Sequence, residues 1–170
     1  MTSIIKVDQI QNAAGVGGLT IDDDGYVKRP LLPRWKARSG PVTTAGYFGN
    51  AYIGCRVESD PTGNYSTANL NFTCPVAGTY AVFGQSLNYN NVTSEIRLHV
   101  NGSSTAILNG YTYTEGASIG NTTINFMTYV ENVNVGDTLA IFCSGTNAWY
   151  SNGDDGYNFW GGYFLSLIHI

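Results

Sequence analysis

The chain has 170 residues, 43% of them hydrophobic and only 12% charged, so it can bury a core without help from disulfides or metals. Gly occurs 21 times and Tyr 12 times, a composition that favours strands and tight turns over helices. Residues 1–38 carry six basic and four acidic groups (net +2), and residues 39–170 carry two basic and eight acidic groups (net −6). A nucleic-acid-binding protein would need a basic main domain, so that class is excluded.

The first strand candidates are short. Residues 4–10 and 19–21 flank a turn of small residues, and the run Asp22-Asp23-Asp24-Gly25 leads into Tyr26-Val27. So little apolar surface cannot fold alone, because ordering each residue costs about 1–2 kcal/mol. These strands therefore need neighbours, and the simplest neighbours are copies of themselves. The Asp run lacks the alternating ligands of a calcium loop, so calcium stays open without assigned residues and no other cofactor is expected.

Pro30 and Pro33 mark a boundary, since neither can continue a central strand. We therefore predict an N-terminal stem, residues 1–33, and a head domain, residues 34–170. The stem has no apolar run of the length of a secretory signal, and no stretch of the chain reaches the length of a membrane span. We expect assembly in a cytosol and no membrane insertion.

Three cysteines, Cys55, Cys74 and Cys143, lie in the head without metal-ligand spacing. Buried thiols are the expected state in a protein assembled in a cytosol. One disulfide pair stays open as the alternative.

The clearest strand of the head covers residues 95–100. Its apolar residues Ile96, Leu98 and Val100 alternate with Glu95, Arg97 and His99, which is the period of a strand with one wet face. The dipeptide Asn101-Gly102 follows at once and is a strong hairpin signal.

Other strand candidates are apolar on both faces. Residues 122–130 place Ile124, Phe126 and Val130 on one side and Met127 and Tyr129 on the other, and residues 139–143 and 163–170 are nearly continuous apolar runs. Such strands must be covered twice. Since no helix is predicted, we expect the second cover to be another subunit. Eight to ten strands suit an all-β, two-sheet antiparallel jelly roll.

Residues 72–80, Phe-Thr-Cys-Pro-Val-Ala-Gly-Thr-Tyr, resemble the signature of the globular head of complement's first component, subcomponent q (C1q). Three further matches follow in the family's order: Val100-Asn101-Gly102, residues 135–139 and residues 160–165. Together they span residues 34–168. The resemblance implies the jelly roll shared with the tumour necrosis factor group, with about ten strands. It also implies a homotrimer whose aromatic-rich faces pack around a threefold axis.

Residues 4–27 resemble a segment found in tail-fibre-like proteins of bacteriophages, especially those of marine and cyanobacterial hosts. The pattern is Lys6-Val7-Asp8-Gln9-Ile10-Gln11, a Gly-rich turn, then Leu19-Thr20-Ile21-Asp22. No collagen repeat is present, so complement activity is not implied. The resemblance implies a virion protein whose stem binds other virion proteins. The candidate anchor residues are Ile5, Lys6, Val7, Ile10, Leu19 and Ile21.

No catalytic site is predicted, and we do not expect an enzyme. His99 and His169 have no partner nucleophile in any recognisable motif. Asp154 and Asp155 are adjacent on a glycine-flanked turn and splay apart, whereas a glycosidase pair must flank one bond.

Residues 147–158, here called the recognition segment, mix aromatic rings with amide and carboxylate groups. That combination stacks on sugar faces and bonds hydroxyls. The candidate receptor-binding residues are Trp149, Tyr150, Asn152, Asp154, Asp155 and Tyr157, together with Tyr111 and Tyr113 of a second polar-aromatic stretch. The alternative is that these rings fill the trimer interface.

The sequence therefore predicts a short trimeric bacteriophage fibre whose head binds the host surface through glycan. The rival hypothesis is a head, neck or capsid decoration protein that stabilises the particle and recognises no receptor.

Overall fold

The computed structural model describes residues 9–11, 17–21, 23–24, 27–28, 32–38, 46–48, 51–88, 95–109, 122–145, 149–151 and 158–165. The chain divides into two compact units, residues 1–32 and residues 33–170. The strands are β1 (Gln9–Gln11), β2 (Gly17–Ile21), β3 (Val27–Lys28), β4 (Arg34–Arg38), β5 (Gly46–Phe48), β6 (Ala51–Tyr52), β7 (Arg56–Ser59), β8 (Tyr65–Ser66), β9 (Asn71–Thr73), β10 (Gly78–Asn88), β11 (Glu95–Val100), β12 (Ser103–Asn109), β13 (Thr122–Val133), β14 (Thr138–Ser144), β15 (Trp149–Ser151) and β16 (Phe159–Leu165).

The first unit contains a three-stranded antiparallel sheet in the order β1-β2-β3. The predicted strand at residues 19–21 is confirmed as part of β2, whereas most of the predicted strand at residues 4–10 lies outside the described residues. The three strands find their partners within one chain.

The second unit is built from two larger antiparallel sheets. One has five strands in the order β13-β10-β16-β4-β7. The other has six, in the order β12-β11-β14-β9-β8 with β6 beside β14. A two-stranded ribbon pairs β15 with β5. All strand pairs are antiparallel and no helix occurs in the described ranges, which confirms the all-β prediction. Accordingly, this part of the chain holds no helix that is long and apolar enough to cross a membrane.

An aromatic cluster fills the core of the second unit. The ring of Trp35 stacks on Phe72 with centroids 3.9 Å apart and meets Trp160 edge-on at 5.4 Å. Tyr80 is fully buried beside them, and its hydroxyl donates to the backbone carbonyl of Val76 at 2.7 Å. Stacked and edge-on rings gain about 0.5–1.5 kcal/mol per pair beyond their burial, so this cluster contributes much of the head's stability.

The predicted hairpin at Asn101-Gly102 is confirmed. It joins β11 to β12, and its two turn residues have φ values of 53° and 77°. Two-residue hairpins of this type require positive φ at both positions, which Asn and Gly adopt most readily. Ile96 and Leu98 of β11 are buried, as their alternation predicted.

Two of the three strands predicted to be apolar on both faces, β13 and β14, differ in how they are covered. In β13, Phe126 and Val130 are buried, whereas Met127 and Tyr129 on the other face are 58% and 60% exposed. In β14, the side chain of Phe142 is covered by Tyr52 and His99 of the same chain, with ring centroids 5.0 and 5.2 Å away. The cover found for Phe142 of β14 therefore comes from the same chain, and the cover of β13 by another subunit stays a prediction.

All three cysteines are present as thiols, but burial differs from the prediction. Cys74 and Cys143 are fully buried, and burial raises the pKa of each thiol to about 12. Cys55 is exposed, so its predicted burial is wrong. It directly follows Gly54, at the point where the chain leaves the core residue Ile53 and begins β7.

Single replacements by Ser should separate these cysteines. Cys74→Ser and Cys143→Ser should each lower the free energy of unfolding by about 1–3 kcal/mol, because a hydroxyl is buried in place of a thiol. Cys55→Ser should change it by less than about 0.5 kcal/mol. Denaturant titration measures all three, and equal losses at the three positions would contradict the burial pattern.

Candidate functional site

The strands of the five-stranded sheet are aligned so that several connecting segments attach at one end of the head. Phe159 at the start of β16 pairs with Arg38 at the end of β4 and with Gln85 near the end of β10. Asn88, the last residue of β10, pairs with Thr122, the first residue of β13. We call this side of the head the loop end. The segments attached there are residues 39–45, 89–94, 110–121 and 152–157.

The opposite side of the same sheet is where the chain enters the head, and we call it the base. The amide of Phe164, near the end of β16, donates to the carbonyl of Pro33 at 2.8 Å. Tyr163 pairs with Arg34, the first residue of β4. The head therefore begins at the base, and the segments that hold the predicted receptor-binding residues attach at the other end.

Two of the predicted receptor-binding residues lie in the described ribbon. Trp149 stands opposite Phe48 in the register, and Tyr150 stands opposite Tyr47. The ribbon lies close to β10. The other six predicted residues, Asn152, Asp154, Asp155, Tyr157, Tyr111 and Tyr113, lie outside the described residues.

The ribbon adds two residues that the sequence prediction missed. Tyr47 and Phe48 occupy the register positions opposite Tyr150 and Trp149, so four of the six ribbon positions are aromatic. Directly opposed residues share a face of an antiparallel pair. The adjacent aromatic residues Tyr47 and Phe48 can be seen in the sequence. Their pairing with a strand about a hundred residues later depends on the tertiary structure and could not be predicted from it.

A second feature of the head is an exposed apolar surface on the outer side of the five-stranded sheet. Tyr129, Ala81 and Tyr163 form one row of paired residues across β13, β10 and β16. Met127 and Phe83 are paired in the next row. Met127, Tyr129 and Tyr163 are 58%, 60% and 40% exposed, and the Phe83 ring lies 6.4 Å from that of Tyr163. Ala81 is fully buried between the two tyrosines, and we call the other four residues the apolar face.

Charged side chains border the apolar face on its β4 side. Glu58 of β7 forms ion pairs with Lys36, at 2.8 Å, and with Arg38. The ammonium group of Lys36 also lies 4.8 Å from the centre of the Phe159 ring. On the β13 side, Glu131 is exposed. The apolar face is thus flanked by a charge network on one side and by a carboxylate on the other.

His99, for which the sequence offers no partner nucleophile, packs among aromatic side chains of the six-stranded sheet. The Tyr52 hydroxyl lies 2.9 Å from Nδ1, and the imidazole stacks on Phe142. Burial is the main cause that lowers the pKa of His99 below its usual 6.5; a backbone hydrogen bond at Gly102 opposes the shift and the charge of Arg97 adds to it.

This environment predicts a pH dependence of stability. The folded state disfavours the charged imidazole, so the contribution of His99 is fully present above pH 6.5 and is lost as the pH falls through the lowered folded-state pKa. We expect the melting temperature to fall as the pH drops below about 6.5, the usual pKa of His. His99→Gln should reduce that slope. An unchanged slope in the variant would show that another group causes it.

No group of three or more His, Cys, Asp or Glu side chains is arranged to hold a metal ion in the part of the chain that the structure describes. The Asp run at residues 22–24 is only partly described, and Asp23 and Asp24 are exposed there.

Three of the predicted anchor residues lie in the sheet of the first unit. Ile10 of β1 pairs with Leu19 of β2, and Ile21 of β2 pairs with Val27. Ile5, Lys6 and Val7 lie outside the described residues.

Comparison with solved structures finds proteins of similar fold. The fold matches a solved structure, the globular domain of zebrafish complement 1qA protein, with a TM-score of 0.55 over 79% of this chain and 98% of that one. The head is a C1q-like jelly roll. The 14% identity of this match supports the fold alone. No protein-family model and no curated protein matches the sequence.

Proposed function

We propose that this chain is a small homotrimeric bacteriophage virion protein whose stem binds the particle and whose head binds the host surface through glycan. The observation that carries the adhesive role is the alignment of strand ends. The segments with the predicted receptor-binding residues attach at the loop end, and the chain enters the head at the base. Within the head, these segments therefore attach at the end of the five-stranded sheet opposite Arg34, the first residue of β4.

The apolar face supports self-association. A monomer would leave Met127, Tyr129 and Tyr163 in water, although they form one contiguous surface with the half-buried Phe83. Burying one such side chain stabilises an assembly by about 1.5–3 kcal/mol. A second copy of the chain offers the matching apolar surface, and the implied threefold arrangement of the C1q-like fold makes the assembly a trimer.

The virion setting is supported by the stem. The stem resembles a segment of tail-fibre-like phage proteins. The resemblance lies in residues 6–11, the Gly-rich turn and residues 19–22. The virion is assembled in the host cytosol, where buried thiols such as Cys74 and Cys143 remain reduced.

A particle decoration protein is the second candidate. It is favoured by the apolar face, because self-association through Met127, Tyr129 and Tyr163 accounts for these exposed side chains without a receptor. In that case the ribbon aromatics would serve contacts between subunits, and the head would have no receptor.

Deletion of residues 1–28 tests the anchor. The core residues of the head all lie between Trp35 and Phe164, so the truncated chain should fold and keep its oligomeric state. We expect its incorporation into phage particles to fall below detection, measured by immunoblot of purified particles after complementation of a deletion phage. Normal packaging of the truncated protein would show that the stem is not the anchor.

A further inference from the structure

Strand β10 stops pairing with β16 three residues before β10 itself ends. The ladder between β10 and β16 runs from Thr79 opposite Leu165 to Gln85 opposite Phe159. On its other edge β10 stays paired with β13 up to Asn88. Beyond Gln85, β10 therefore has a backbone edge that β16 no longer covers.

The side chain of Asn158 covers that edge. Its Oδ1 accepts a hydrogen bond from the backbone amide of Leu87 at 2.7 Å and another from the Ser86 hydroxyl at 3.1 Å. Asn158 and Ser86 are both fully buried. In a continued ladder, Leu87 would stand opposite position 157, and its amide would bond a backbone carbonyl there. A side-chain oxygen has taken the place of that carbonyl.

We infer that Asn158 is a positioning residue that ends the β10–β16 ladder and fixes the C-terminal root of the recognition segment. Because its side chain satisfies the Leu87 amide, β16 can begin at Phe159 without leaving that buried donor unpaired, which would be costly. Trp149–Ser151, earlier in the same segment, pair with β5. The amide side chain of Asn158 thus sets the point at which β16 begins.

The effect of Asn158 on receptor binding rests on the proposed function, but its effect on the recognition segment does not. Hydrogen–deuterium exchange of peptides covering residues 149–157 measures how well the backbone amides of the segment are protected. Binding to an array of bacterial surface polysaccharides reads the function.

Asn158→Ala is the test variant, and Tyr80→Phe is its matched control. The control also removes buried hydrogen bonds of β10, those between the Tyr80 hydroxyl and the backbone of Val76, but at the base. We expect both variants to melt at lower temperature. Only Asn158→Ala should speed exchange of the recognition segment at least tenfold and weaken polysaccharide binding at least tenfold.

If Asn158→Ala lowers the melting temperature but leaves exchange of the segment unchanged, as in Tyr80→Phe, the inference is wrong. Should Asn158→Ala fail to fold, Asn158→Asp keeps an acceptor oxygen and decides the question, with protected exchange supporting the inference and rapid exchange overturning it. A wild-type head that binds no polysaccharide contradicts the adhesive function, while the exchange result still decides the role of Asn158.

Discussion

Replacing Met127 and Tyr129 together by Glu is expected to convert the proposed trimer into monomers at micromolar concentration. Both side chains are more than half exposed in the single chain and lie on the apolar face. The change removes apolar area worth about 1.5–3 kcal/mol per side chain and places unpaired carboxylates in the interface. Six new charges would be brought together in each trimer. Multi-angle light scattering should show the mass fall from three times 18.3 kDa to 18.3 kDa.

Val135→Glu is the matched control for this experiment. Val135 is 67% exposed but lies in the turn between β13 and β14, away from the apolar face. Its replacement should leave the mass of the trimer unchanged. If the double variant keeps the wild-type mass, the apolar face is not the interface and the self-association model fails.

Trp149→Ala is expected to weaken adsorption to host cells at least tenfold while the trimer stays intact. Removal of one stacking ring at a binding hot spot typically costs at least about 2 kcal/mol, and three heads acting together multiply weak single sites. Phe48→Ala should act in the same direction, because Phe48 stands opposite Trp149 in the ribbon. The measurement is competition of purified head variants with phage adsorption.

Trp149→Phe is the conservative comparison, since it keeps an aromatic ring and should retain most of the activity. Light scattering must accompany each adsorption measurement, because loss of the trimer would by itself remove avidity. If Trp149→Ala dissociates the trimer and has no separate effect on adsorption, the ring serves the subunit interface. The decoration-protein hypothesis would then be the better one.

Local sequence patterns predicted much of the fold. The alternation of residues 95–100 assigned Ile96 and Leu98 to the core, and Asn101-Gly102 set the hairpin that follows. Both signals act over a few residues, within the period of a strand or the dihedral needs of one turn. The match to the zebrafish complement 1qA globular domain confirms the jelly roll that the longer motifs indicated.

Features that depend on residues distant in sequence were not predictable in the same way. Period-two alternation shows that Phe142 faces away from the core, but not that Tyr52 and His99 cover it. The same limit explains the exposed Cys55. Hydrophobicity predicts that a side chain is buried somewhere, whereas its actual cover is set by the packing of remote strands.

The candidate site shows most clearly the difference between local sequence signals and contacts that depend on distant residues. Composition alone pointed to Trp149 and Tyr150, but their register partners Phe48 and Tyr47 come from a strand a hundred residues earlier. Asn158 looked like one more polar residue of a loop, and only its bond to the Leu87 amide shows a role in ending the sheet.

The proposed function requires that the protein be a virion component that presents its head to the host. Electron microscopy of purified phage particles, labelled with gold-conjugated antibodies against the head, measures this directly. We expect label on the outer surface of intact particles, with the label lost when residues 1–28 are deleted. Particles that carry no label, while the protein remains in the lysate of the infected host, would contradict it.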